Sequence, residues 1–425
     1  MARTLDVYLH RELVGHLIQD DGGQMVFNYA ESWLQRPDAT PLSHSLPLRR
    51  KRFSRKECRG YFAGVLPEES KREIIARNLG ISARNDYAML ERIGGECAGA
   101  VTFLPAGEAL PAPDHHYRAL SSSELAGILR ELPRRPLLAG ETGIRLSLAG
   151  AQDKIAVRVE GDAISLPLGG APSTHILKPA VERFAGVVFN EAYCMRLAAV
   201  VGLPVAKTEI RRVEDVEYLL VERYDRTHSQ GPEGVTLERL HQEDFCQALG
   251  IVSENKYQKE GGPSLKQCFA LLREVSSAPV LDLARMLDAV IFNFLVGNND
   301  AHGKNFSLLY RGAGAASGGA STANLETRLA PLYDVVSTRY YPELTREMAM
   351  KIGGEYSSDK VSKANFEQLA EDAGLAKPLV RRRVPELAEV VLSNLDKTGI
   401  EHPVTEALAG QIRERSDAIR VRFSK

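Results

Sequence analysis

The chain has 425 residues, more than one hydrophobic core usually organises, so two or three structural units are expected. Its 44% hydrophobic and 26% charged residues are those of an ordinary soluble globular protein. A net charge of −1 excludes a global field that draws the chain onto nucleic acid or membrane, and no run of about 18 apolar residues is present to span a bilayer.

Leu5, Val7 and Leu9 alternate with polar residues, and Asp20-Asp21-Gly22-Gly23 turns the chain before Met25, Phe27 and Tyr29. That pattern predicts strand, turn, strand over 5–29. A helix over 68–92 and a glycine-punctuated strand over 93–104 complete a small mixed unit, 1–105. Residues 106–118 are rich in Ala and Pro and read as a linker, which runs to 120. Ser122 or Ser123 then caps a helix carrying Leu125, Ile128, Leu129 and Leu132. Strands are expected over 155–159, 174–177, 208–211 and 218–221, interrupted by a helix bearing Phe189, Tyr193, Met195 and Leu197. They close a second region, 106–238. From 239 to 425 the pattern is mainly helical, except near 304–335. There two apolar strands, 306–310 and 329–332, flank the Gly/Ala-rich run 312–320, and a hairpin with a long loop fits.

Three basic clusters, at 49–52, 211–212 and 381–383, read as solvated surface, with docking of an acidic partner as the alternative. Cys58, Cys97, Cys194, Cys246 and Cys268 include no CxxC pair, so neither a zinc nor a redox motif is indicated. Buried free thiols in a reducing compartment are expected. The first residues carry no apolar signal core, which points to the cytoplasm.

The chemistry concentrates in Gly297-Asn298-Asn299-Asp300-Ala301-His302-Gly303-Lys304-Asn305, which follows a helix apolar almost all round. A dense polar cluster beside a core is costly unless its groups find partners or a ligand. Asp300 and Asn305 have the Asp-x-x-x-x-Asn spacing of a kinase catalytic loop, where Asp orients the substrate hydroxyl and Asn holds magnesium. Alone, that spacing fits a polar turn capping backbone groups better than a catalytic loop. Asp334, at the end of the strand across the hairpin, supplies the second oxygen ligand that magnesium wants and turns the reading toward a metal site. Lys178 closes a short apolar strand, from which it can reach phosphates or snorkel to the surface; Glu191, on the following helix, is its candidate partner. Glu222, Arg223 and Tyr224 end an apolar strand and are candidate hinge residues, or an edge strand running into a turn. Small residues at 149–151 let backbone N–H groups approach a phosphate, although GxxxxGK[ST] and GxGxxG are both absent.

Jointly these runs resemble the HipA kinases. Ser147-Leu148-Ala149-Gly150-Ala151-Gln152-Asp153-Lys154 is similar to their phosphate-binding loop and 174–178 to their ATP-lysine strand. The 300–305 run resembles their catalytic loop, and Tyr333-Asp334 their metal-binding motif. Runs at 46–48, 99–101 and 242–244 match in the same order, so the likeness covers nearly the whole chain. It implies an α+β, protein-kinase-like two-lobed fold with a β-rich N-terminal unit and an all-α C-terminal region. It implies ATP and Mg2+ as cofactors, with Asp300 catalytic and Asn305 and Asp334 on the metal. Residues 149–154, Lys178, 222–224, His302, Lys304 and Tyr333 would contact the nucleotide. Ser147 would be autophosphorylated, expelling its loop and ending ATP binding. The implied role is the toxin of a toxin–antitoxin pair that phosphorylates an aminoacyl-tRNA synthetase. A HipB-like helix-turn-helix antitoxin would be its partner and its link to DNA. Asn299 departs from the small residue or Thr that this family often has before the catalytic Asp, which bears on substrate preference. Two other readings stand beside it: a small-molecule phosphotransferase, and an inactive co-repressor that only binds its antitoxin.

Overall fold

The computed structural model describes residues 2–111, 116–231, 234–312 and 325–423. The middle of the expected linker, 112–115, and nearly all of the Gly/Ala-rich run lie outside the described residues. Two compact units interleave along the chain. The first comprises Met1–Pro179, Arg211–Glu254 and Leu308–Glu326; the second comprises Ala180–Ile210, Asn255–Ser307 and Thr327–Lys425.

The first unit opens with an antiparallel sheet in the order Met25–Tyr29, Glu12–Gln19, Arg3–Leu9, Val101–Pro105. Leu5, Val7 and Leu9 are buried, as their alternation requires. Glu12–Gln19 is a strand beyond those expected. It follows a turn at His10-Arg11 that contains neither glycine nor proline and puts His10 at φ 57°. The expected helix over 68–92 is two helices, Glu69–Leu79 and Asp86–Ile93, because Gly80 takes φ 65° and closes the first. The expected strand over 93–104 is likewise divided, into Glu96–Cys97 and Val101–Pro105. Gly99 between them has φ 74°, and a Cβ there would stand 2.8 Å from the Gln242 amide nitrogen.

A second antiparallel sheet in this unit orders Val216–Glu222, His175–Pro179, Ile155–Glu160, Ala163–Leu168 and His116–Ala119. The helix Ser122–Glu131 is capped one residue earlier than expected. The Ser121 hydroxyl accepts the Glu124 N–H, and the Glu124 carboxylate accepts the Ser121 N–H. One buried cluster runs from Leu5 and Phe27 through Phe62 and Phe103 to Leu129, Ile155 and Leu177, so both sheets share a core.

Charge is buried with that core. The Arg223 guanidinium donates to Glu96 Oε2 at 3.1 Å, Asp225 Oδ2 at 2.8 Å and the Cys97 carbonyl at 3.0 Å. Arg226 joins Glu96 at 2.5 Å and Asp225 at 2.9 Å. Arg239 donates to the carbonyls of Gly99 and Val101. Burial raises the Glu96 carboxyl, but Arg223 and Arg226 outweigh it and hold the group at about 2.

Glu243 behaves in the opposite way. It accepts from the Ser43 hydroxyl at 2.5 Å, the His44 N–H at 2.9 Å and the Tyr310 hydroxyl at 2.5 Å, yet burial prevails and pushes its carboxyl up to about 7. A carboxyl raised on folding favours the native state below its unfolded value of 4.5, and that gain is lost as pH rises through 7. Urea midpoints should therefore fall between pH 5 and pH 8, and Glu243→Gln should flatten the decline. An unchanged pH slope in the variant would remove Glu243 as the cause.

The second unit is helical: Val187–Val200, Leu265–Val275, Pro279–Val296, Lys363–Ala373, Lys377–Leu392 and Pro403–Phe423. Pro279–Val296 is buried at Met286, Leu287 and every position from Ala289 to Val296, in keeping with its all-round apolar character. Its first turn carries the buried Asp282, which accepts from Arg328 Nε and the Leu329 N–H at 3.0 Å each. The expectation of an all-α C-terminal region needs one correction: Glu347–Ile352 pairs with Glu355–Ser357 in a hairpin. Among the described residues no helix is long and apolar enough to cross a membrane. All five cysteines are buried and free.

Candidate active site

Gly297 ends the buried helix at φ 75°, and the chain turns sharply into the polar loop. A Cβ at Gly297 would lie 2.8 Å from the Arg339 Cβ, so the close approach also needs glycine. The loop is then fastened from several sides. Asn298 Nδ2 donates to Asn293 Oδ1 at 2.8 Å, and Asn298 Oδ1 accepts the Asp300 N–H at 3.1 Å. The Asn299 N–H donates to the Thr338 hydroxyl at 2.9 Å, and its carbonyl accepts the Ala349 N–H at 2.7 Å. Both bonds use its backbone; the side chain of Asn299, the departure noted in the sequence, donates Nδ2 to the Thr345 carbonyl at 3.3 Å.

The loop fixes its functional groups relative to one another. The His302 N–H donates both to the Asp300 carbonyl, at 2.7 Å, and to Asn305 Oδ1, at 3.2 Å. Asn305 Nδ2 reaches Asp334 Oδ2 at 3.3 Å. Asn305 and Asp334, 29 positions apart, thus meet, and Asp300 stands on the same loop as Asn305. Asp334 holds φ 58°, a left-handed conformation that costs energy outside glycine and that Asp tolerates better than most residues. The segment after it is held by Asn190, whose Oδ1 accepts the Ser337 N–H at 2.8 Å and whose Nδ2 donates to the Ser337 carbonyl at 3.0 Å. The Tyr333 hydroxyl donates to the Lys304 carbonyl at 2.6 Å. Asn305, His302 and Lys304 are buried, whereas Asp300 is exposed. Tyr257, which the sequence does not single out, donates its hydroxyl to Asp300 Oδ1 at 2.8 Å.

The other expected residues belong to the first unit. Ser147 is fully buried, and its hydroxyl donates to the Val65 carbonyl at 3.0 Å. Gly150 has φ 105°, which only glycine takes easily, and Lys154 Nζ folds back onto the Ala149 carbonyl at 2.7 Å. Ala151 and Gln152 are half-buried, and Asp153 pairs with Lys71 at 2.6 Å. Lys178 is buried on the strand His175–Pro179, opposite Leu219. Its candidate partner Glu191 is a residue of the second unit. Glu222 ends Val216–Glu222, and the Tyr224 hydroxyl donates to Gln242. Arg223 commits its guanidinium to the buried ion cluster and its N–H to the Thr174 carbonyl, so its own carbonyl is the group a hinge would offer.

Comparison with known proteins bears on the whole length. A profile described as "HipA-like C-terminal domain" matches residues 146–395, and one described as "HipA N-terminal domain" matches residues 5–104. The chain belongs to the HipA family. Y4mE of Sinorhizobium fredii is 47% identical over 405 residues, covering 93% of each chain. The serine/threonine-protein kinase toxin HipA of Shewanella oneidensis is 30% identical over 409 residues, covering 92% of this chain and 89% of that one. The solved complex of Shewanella oneidensis HipA with HipB and its operator DNA matches with a TM-score of 0.84 at 26% identity, covering 99% and 98% of the two chains. The mixed α/β, kinase-like fold of HipA is therefore the fold of this protein.

In this HipA-family chain an amide and a carboxylate, Asn305 and Asp334, are the donor types that magnesium takes from protein, but here Asn305 turns Nδ2 toward Asp334 and gives Oδ1 to the His302 N–H, so its amide would have to turn over to offer the ion an oxygen. Tyr257 and Asn190 escaped the sequence reading for a plain reason: each contact joins residues far apart along the chain, 43 positions for Tyr257 and Asp300 and 147 for Asn190 and Ser337.

Proposed function

We propose that this protein is an ATP- and magnesium-dependent serine/threonine protein kinase and the toxin of a toxin–antitoxin pair. The observation that carries the reading is the approach of Asn305 to Asp334 beside a loop that presents Asp300 to solvent. Asp300 orients the substrate hydroxyl and takes its proton, and Tyr257 positions that carboxylate. Asn305 and Asp334 hold magnesium, which when bound neutralises charge on the transferring phosphoryl group. Residues 149–154, Lys178, His302, Lys304 and Tyr333 place the nucleotide, and 222–224 bind its base. The three-part division at 105 and 238 is our proposal for the functional regions.

The partner is a HipB-like helix-turn-helix antitoxin through which the protein meets DNA, a reading supported by the HipB and operator DNA in the Shewanella complex. The substrate is an aminoacyl-tRNA synthetase, and the protein acts in the cytoplasm. Labelled ATP added to the protein with cell lysate tests the reading: a labelled protein band supports it, and label on a small metabolite overturns it in favour of a small-molecule phosphotransferase.

Ser147 is the site of self-inactivation. Its hydroxyl is sealed against Val65, so phosphorylation requires the 147–154 segment to leave its place. The added charge, about −1.5 to −2, then prevents its return to a buried position. Incubation with MgATP should add one phosphate at Ser147 by mass spectrometry and abolish ATP binding. Ser147→Ala should keep both ATP binding and substrate phosphorylation. Loss of ATP binding in the alanine variant under the same incubation would refute the switch.

A further inference from the structure

The second unit contains a cavity of about 350 Å³ near the C-terminal end of Pro279–Val296. Its lining includes Arg339, Arg346, Arg415 and Arg422 against two carboxylates, Asp359 and Glu414. The walls therefore carry an excess of two positive charges. Guanidinium groups gathered this closely repel one another, and a protein keeps such an arrangement at a cost.

The internal bonds do not dissipate that excess. Arg415 donates Nε to the Phe294 carbonyl at 2.6 Å and Nη2 to the Ser358 carbonyl at 3.0 Å, both neutral acceptors. Its approach to Asp359 is long, 3.9 Å, and Asp359 is already engaged by Arg339. Arg346 donates to the Arg339 carbonyl at 2.7 Å, again a neutral group. Burial, then repulsion from Arg339, lowers the Arg415 guanidinium to about 10. Arg415 also caps the carbonyl end of the buried helix and Arg339 pairs with Asp359, which leaves Arg346 and Arg422 without a carboxylate partner among the described residues.

We propose that this cavity binds a phosphate dianion, free or as a phosphomonoester. The volume lies at the small end of the range for ligand sites. Planar guanidinium forks match phosphate oxygens in pairs, and a dianion cancels the excess charge of the walls. The site is composed of residues other than Asp300, Asn305 and Asp334, and it does not depend on the kinase reading.

Calorimetric titration of the full chain at low salt, without divalent cations, tests the proposal with two probes, inorganic phosphate and O-phosphoserine. Binding of both identifies an esterified phosphate as an acceptable ligand, and binding of inorganic phosphate alone identifies the free anion. Two substitutions should act in opposite directions. Arg422→Gln, on the exposed last turn of Pro403–Phe423, removes a charge-assisted donor and should weaken binding about tenfold. Asp359→Asn, half-exposed, removes a competing carboxylate and should tighten binding about threefold. Melting temperatures without ligand report that both variants are folded. Absence of binding by the unaltered chain overturns the assignment, and so does failure of the two substitutions to shift affinity in opposite senses.

Discussion

Asp300→Gln should leave a folded protein whose phosphoryl-transfer rate is lower by about a thousandfold or more. Its side chain is exposed and accepts the Tyr257 hydroxyl at 2.8 Å, a contact on the surface rather than in the core. A glutamine amide can accept that hydrogen bond but cannot take a proton from the attacking hydroxyl. The loop around it is held by Asn298, Asn299 and Thr338, none of which the substitution touches. Transfer of labelled phosphate to protein measures the rate, and a thermal melt measures the fold. Retained transfer in a folded variant would remove Asp300 from the chemistry and with it the proposed mechanism.

Glu96→Gln should cost more stability than any surface substitution, about 3–5 kcal/mol. Glu96 is fully buried and faces Arg223 and Arg226, whose guanidinium groups would keep their charge and lose half of their carboxylate partners. A glutamine would also turn an N–H2 group toward those cations. The exposed helix pair Arg382 and Glu386, at 3.3 Å, is the control, and Glu386→Gln should have no measurable effect. The pH dependence has a definite sign. Glu96 is held at about 2, below its unfolded value of 4.5, so its contribution is complete above 4.5 and is lost as pH falls toward 2. Urea unfolding at pH 7 and pH 3 should show the gap between the unaltered chain and Glu96→Gln narrowing at the lower pH. A constant gap would mean that the ionised carboxylate is not what the cluster needs.

Local pattern determined a good deal by itself. Alternation announced Arg3–Leu9, the apolar face announced Pro279–Val296, and the Asp-x-x-x-x-Asn spacing marked the loop on which the proposal rests, whereas the strand expected over 329–332 is Glu326–Leu329 and Asp334 lies five residues beyond it. These signals are short-range, written in residues two to five apart. Tertiary structure decided the rest. The turn at His10-Arg11 has no turn residue, so the strand after it is pinned by its partners on either side rather than by its own sequence. Arg223 reads as one more hinge residue until folding sets it against Glu96, 127 positions away. The four arginines of the cavity come from 339, 346, 415 and 422, and nothing in either stretch marks them as one site. A charge has meaning only through what surrounds it at a few ångströms, and for residues this far apart that distance exists only once the chain has folded.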